Sequence, residues 1–136
     1  MIRPIVKDVI FLGQKSVPAT KADISVAQDL LDTLQSHADR CVGMAANMIG
    51  IAKRIIAFHN QVGYTVMFNP EVIHGSEPYE TEESCLSLVG TRKTRRFRSV
   101  EVKYRDIHFR ARQQTFTDFT AQVIQHEVDH LNGIII

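Results

Sequence analysis

The chain of 136 residues carries sixteen basic and fifteen acidic side chains, a formal charge of +1, and is 44% hydrophobic and 23% charged. That length supports one domain with a real core and is short for two, and so even a charge balance excludes a strongly cationic surface for gathering DNA or another polyanion. No run approaches the eighteen or so apolar residues of a membrane span. The opening Met1-Ile2-Arg3-Pro4-Ile5-Val6-Lys7-Asp8 has neither the apolar stretch nor the cleavage site of a secretion signal, so a single cytosolic domain over residues 1–136 is expected, with no DNA or membrane partner.

After an irregular opening, Thr20 and Asp23 have the spacing of a capping box, and Ile24, Ala27, Leu31, Leu34 and Ala38 recur with a helical period, predicting an amphipathic helix over 20–38. Arg40 to Gly50 is rich in glycine and alanine without a period and reads as a loop or short extended segment where backbone approaches something closely. Arg54 to Phe58 and Tyr64 to Phe68 are β-rich runs joined through Asn60-Gln61-Val62-Gly63, a hairpin whose second arm Asn69-Pro70 breaks and Glu71 to Ile73 restarts. Val100, Val102 and Tyr104 alternate with Glu101, Lys103 and Arg105, and the pattern resumes after Asp106 toward Phe116, predicting a second hairpin. Thr117 or Asp118 can cap a helix with a core stripe of Ala121, Ile124, Val128 and Leu131 and with Gly133 at its stop. Strands gathered between two helices predict an α+β fold, with antiparallel β-sheets packed around the C-terminal helix and an amphipathic helix near the N-terminus.

That C-terminal helix carries Gln125-His126-Glu127-Val128-Asp129-His130-Leu131. Positions four apart share a helix face, so His126 and His130 can grip one metal ion while Glu127, about 100° round, reaches a water beside it. An ordinary amphipathic helix with half-exposed histidines fits the same spacing. Catalytic metal sites add a third protein ligand, and Cys85 in Glu83-Ser84-Cys85-Leu86-Ser87 is the candidate, against the plainer reading of a half-buried thiol. Cys41, beside Val42 and Gly43, reads as a small buried hydrophobe, and a reducing compartment disfavours a disulfide between the two cysteines. Arg92-Lys93-Thr94-Arg95-Arg96-Phe97-Arg98 packs five positive charges into seven residues, either a patch for ribosomal RNA or a strand edge protected by charge.

In three blocks that stand in the family's order, the sequence resembles the peptide deformylases. The family's Gly-x-Gly-φ-Ala-Ala-x-Gln loop corresponds to Cys41-Val42-Gly43-Met44-Ala45-Ala46-Asn47-Met48, its Glu-Gly-Cys-Leu-Ser to Glu83 to Ser87, and its Gln-His-Glu-x-Asp-His-Leu to Gln125 to Leu131 in full. The resemblance implies removal of the N-formyl group from the N-terminal methionine of nascent polypeptides, with release of formate. It further implies one divalent metal per chain on Cys85, His126 and His130, commonly Fe2+, with Zn2+, Ni2+ or Co2+ as substitutes. Glu127 would take a proton from the attacking water and pass it to the departing amine, and the N–H of Leu86 would face the oxyanion. Val42, Phe119 and Val123 would line an apolar methionine pocket, although a core stripe explains them equally well; Gly43, Met44, Asn47 and Ser84 would also touch substrate. Glu83, paired with Arg95 or Arg96, would support the ligands from behind.

Two departures stand out. Met48 replaces the family's glutamine and cannot donate a hydrogen bond, and losing one oxyanion donor typically costs about 10²–10³ in turnover. Asn47, next to it, is a candidate replacement donor. Ser84 replaces a glycine, which requires a negative φ there. A catalytically impaired relative that binds nascent N-termini or ribosomes is therefore one competing reading, and a zinc endopeptidase, suggested by the helix motif alone, is another.

Overall fold

The computed structural model describes residues 1–136. Strands β1 (Gly43–Ala45), β2 (Ile55–Asn60), β3 (Gly63–Glu83), β4 (Arg92–Arg105) and β5 (Ala111–Thr117) form one antiparallel sheet in chain order, joined by helices α1 (Val9–Leu12), α2 (Ile24–Ser36) and α3 (Asp118–Leu131). This is the α+β arrangement that the strand and helix patterning predicts.

Ile55-Ile56-Ala57-Phe58 in β2 is apolar without alternation because both of its faces are covered. Ile55 and Ala57 pack with Ala27, Leu30 and Leu34 of α2, whereas Ile56 and Phe58 pack with Ala121, Ile124, Val128 and Leu131 of α3. The α3 stripe is buried as its period requires. In α2 the capping box forms on the Lys21–Asp23 turn, through Thr20 and Asp23. The buried face runs through Ala27, Leu30 and Leu34, while Ile24 is 39% exposed and Ala38 lies beyond the helix end at Ser36. Thr117 occupies the N-cap position of α3 without a side-chain cap bond.

Asn69-Pro70 does not end a strand. Asn69 takes φ +52° in a bulge between Phe68 and Glu71, its amide pairs with both backbone groups of Ala19, and β3 continues to Glu83. The bulge leaves Pro70, which has no N–H to give, outside the β4 register, and the longer strand carries the chain to the segment with Cys85. Over that extension Glu80, Glu82 and Glu83 stand opposite Arg95, Lys93 and Arg92 of β4, so the basic run is matched by acidic cross-strand partners.

The end of α3 is fixed by its backbone. Ile134 N–H donates to Asp129 O and Gly133 N–H to His130 O, with Gly133 at φ +75°, the pairing of a Schellman stop. A Cβ on Gly133 would lie 2.5 Å from Gly13 O, so the N-terminal segment and the helix end meet backbone to backbone. Gly133→Ala is expected to destabilise the fold by about 2–4 kcal/mol, from the left-handed φ and the clash together, read by urea denaturation.

Candidate active site

β3 delivers Glu83 at its end, and the chain then turns through Ser84 and Cys85 beside α3. Cys85 Sγ and one ring nitrogen from each of His126 and His130 lie within 4.8 Å of one another. The two Nε2 atoms face each other at 3.0 Å with the rings at 73°. Nitrogens held at about 2.05 Å by one tetrahedral ion stand roughly 3.3 Å apart, so the pair needs to open by only a few tenths of an ångström. The i, i+4 spacing thus brings both imidazoles to one point.

Behind them is a buried polar cluster. His126 Nδ1 meets Glu83 Oε1 at 2.6 Å, which makes Nδ1 the donor and turns Nε2 toward Cys85 and His130. Arg96 grips Glu83 through Nε to Oε2 at 2.9 Å and Nη2 to Oε1 at 2.7 Å, and reaches Asp129 Oδ2 through Nη1 at 2.6 Å. Gln122 Nε2 donates to Glu83 Oε2 at 3.0 Å. Burial pushes the Glu83 carboxyl up, but bonds from His126, Arg96 and Gln122 outweigh it and hold the group at about 2. Burial likewise works against charge on His126, yet hydrogen bonds to Cys85 and Glu83 hold it up at about 10. His130 lacks such a partner, and burial together with the neighbouring His126 presses it down to about 3.

Glu127, on the same helix, is 4% exposed, and its Oε1 has no hydrogen-bond partner. Burial pushes it up to about 7, against the pull of His126. An unpartnered carboxylate oxygen beside a thiol and two convergent imidazoles fits a divalent cation with its water, and that donor set is one such ions favour. Gly43 is what lets the carboxylate sit there. A Cβ on Gly43 would lie 2.6 Å from Val123 Cγ1 and 3.0 Å from Glu127 Oε2.

These groups open onto a cavity of about 430 Å³. Val42, Gly43, Ser84, Leu86, Phe119 and Val123, all expected at substrate or oxyanion, line it together with Met48, Glu83, Cys85, His126 and Glu127. Val123 is buried and Phe119 stands 60% exposed at the rim. Ser84 has a negative φ, so its side chain is accommodated without strain. Two expected substrate contacts do not reach the cavity. Met44 is fully buried in the core with Leu30 and Leu34, because β1 alternates and turns it toward α2. Asn47 is 1% exposed and its Nδ2 donates to His130 O at 3.0 Å, so its amide braces α3 and lies outside the cavity lining.

Several participants were not singled out from the sequence. Gln122, His126 and Asp129 fall at i, i+4 and i+7, one polar face of α3, and that spacing could have marked Gln122 and Asp129 as partners of the Glu83–Arg96 pair. Gln125 pairs its amide with both backbone groups of Phe97 at 2.8 Å, as a strand would, and docks α3 on β4. Cys41 lines the cavity and is not merely buried: its Sγ donates to Gly43 O at 2.8 Å, and burial, with Glu127 nearby, pushes its thiol up to about 12.

Comparison with known proteins gives a consistent assignment. The family model described as polypeptide deformylase matches residues 2–136. The chain is 56% identical over 138 residues to a peptide deformylase of Clostridium beijerinckii, covering all of both chains. It is 35% identical to one of Pseudothermotoga lettingae, over 96% of this chain and 81% of that one. Among solved structures, the Met-Ala-Ser-bound class I type b peptide deformylase from Acinetobacter baumannii superposes with a TM-score of 0.87 at 29% identity, covering 99% of this chain and 96% of that one. Peptide deformylase from Thermus thermophilus gives 0.89 at 30% identity, over 99% and 84%.

The buried cluster generates a stability prediction. Arg96→Leu leaves Glu83 and Asp129 without their cation, and is expected to cost about 3–5 kcal/mol in denaturant unfolding; a loss below about 1 kcal/mol would contradict the role given to the arginine.

Proposed function

The chain belongs to the polypeptide deformylase family, and we propose that Cys85, His126 and His130 hold its divalent metal while Glu127 carries the protons of the reaction. The activity is that of a metal-dependent hydrolase that removes the N-formyl group from the N-terminal methionine of nascent polypeptides and releases formate. Full-length identity of 56% to a deformylase favours this over a silent, binding-only relative and over a zinc endopeptidase. The observation that carries the site assignment is the convergence of one thiol and two imidazoles beside a buried, unpartnered Glu127 oxygen.

When bound, a divalent cation supplies Lewis-acid polarisation of the formyl oxygen and a lowered pKa for water. The protein's own groups do the rest. Glu127 Oε1, unpartnered and shielded from bulk solvent, accepts the proton of the attacking water and hands it to the amine as the formamide C–N bond breaks. The bare backbone at Gly43 leaves room for the other carboxylate oxygen, Oε2, where a side chain would collide with it. The Leu86 N–H is the proposed donor to the developing oxyanion, since the Met48 thioether beside it offers none. Val42, Val123 and Phe119 give the cavity an apolar wall that suits a methionine side chain, and Gly43 and Ser84 flank the peptide. Glu83 and Arg96 keep His126 in its tautomer and orientation. The bound Met-Ala-Ser of the Acinetobacter relative supports a short methionyl peptide as occupant.

Iron in the ferrous state is the proposed metal, with zinc, nickel and cobalt accepted by the same mixed sulfur and nitrogen set. The cytoplasm is the proposed compartment; no helix is long and apolar enough to cross a membrane. A ribosomal contact through 92–98 draws less support, because Arg92, Lys93 and Arg95 stand opposite glutamates and Arg96 is buried.

Metal-loaded protein is expected to release formate from formyl-Met-Ala-Ser under anaerobic conditions and to lose that activity to a chelator. Glu127→Gln should lower kcat by about 10²-fold or more while metal content stays stoichiometric. Equal turnover by that variant, or no formate with any of the four metals, rejects the reading. Met48→Gln, which restores an amide donor, is expected to raise kcat at least about tenfold in the same assay.

A further inference from the structure

Met48 sits in the short turn Ala46–Ile49 and is 1% exposed, with its Sδ 4.0 Å from Cys85 Sγ. Its backbone is pinned: Val6 N–H donates to Met48 O at 2.8 Å, and Gly50 closes the turn in a left-handed conformation. The adjacent Asn47 ties the same turn to His130 O on the ligand helix. The thioether is thus presented to the cavity that Cys85, His126 and Glu127 line, on a support bolted to the element that carries both imidazoles.

We propose that Met48 is a fourth protein donor to this centre, a weak thioether beside the Cys85 thiolate that biases the site toward thiophilic cations. The inference rests on Cys85, His126 and His130 being the ligands, as argued above. On one roughly tetrahedral ion, a thiolate sulfur at about 2.3 Å and a more distant thioether sulfur stand roughly 4 Å apart, and the observed separation is 4.0 Å. Two imidazoles, a thiolate and a weak, long methionine contact form a set suited to copper, and soft sulfur donors select Cu(I). With a harder cation the thioether binds feebly, and an oxygen ligand displaces it. Core packing alone does not require the sulfur: a leucine fills a methionine's volume at small cost.

The test uses the full chain, stripped of metal and loaded anaerobically with Cu(I) or with Zn(II). X-ray absorption at the copper edge is expected to show two sulfur neighbours per ion in the native protein and one in Met48→Leu. Competition with a chromophoric chelator should show Cu(I) affinity at least about tenfold weaker in Met48→Leu, with Zn(II) affinity changed less than about threefold. Protein grown with selenomethionine tests the contact without a substitution, because a selenium neighbour should then enter the copper shell. A single sulfur and no selenium around copper, or unchanged Cu(I) affinity in Met48→Leu, overturns the proposal and leaves the proposed function standing. Failure of native protein to take up either metal overturns both.

Discussion

The Glu83 carboxylate is the point on which the site depends. It is buried, it is held ionised, and it joins β3 to β4 through Arg96 and to α3 through His126 and Gln122. An isolated carboxylate buried this deeply would be neutral, so it stays ionised inside the protein only because partners from β4 and α3 surround it. The same bond that aligns the imidazole therefore also reports that the sheet and helix have come together. Arg96 extends the arrangement to Asp129, one turn of helix beyond His126, so that the ligand-bearing stretch of α3 is clamped at two places.

Such a cluster is weak evidence for stability, because desolvating three charges offsets much of what their attraction returns. Its value is geometric. With Glu83 on one side of the ring and the cavity on the other, His126 has one orientation open to it, and its Nε2 is aimed without help from loops that fluctuate. Gln125 adds a second kind of constraint by imitating a strand along Phe97, which sets the height of α3 over β4. Glu83 and Gln125 thus fix the His126 ring and the seat of the helix that carries it.

Helix α3 was legible because its apolar period, its histidine spacing and its glycine stop agree. The first hairpin was legible for the same reason, its β-rich arms flanking a turn that includes Gly63. What escaped reading was polar structure. The far half of β3 has no apolar face to reveal it, since what it buries is Glu83, and what it pairs with is the basic arm of β4. Asn69-Pro70 resembled a strand end because proline lacks the donor that a ladder needs; it is the Asn69 side chain, fastened to Ala19, that lets the strand pass. Met44 and Asn47 were placed at the substrate by their position in a motif. One strand's alternation and one side-chain bond turned them elsewhere, and neither can be seen in a string of letters. Asp129 and Gln122 were discoverable from helical spacing, but only after Arg96 was known to be inside.

The donors proposed for the metal lie on two segments, Cys85 just past β3 and the two histidines on α3, with all of β4 and β5 between them. An unfolded chain offers a cation at most the neighbouring histidines; enclosing the sulfur requires closure of a long loop and the entropy loss that accompanies it. Contacts so distant along the chain carry a high closure cost and slow folding. On the proposed ligand set, an ion that binds only the assembled site stabilises the native state by mass action and offers little to the unfolded chain.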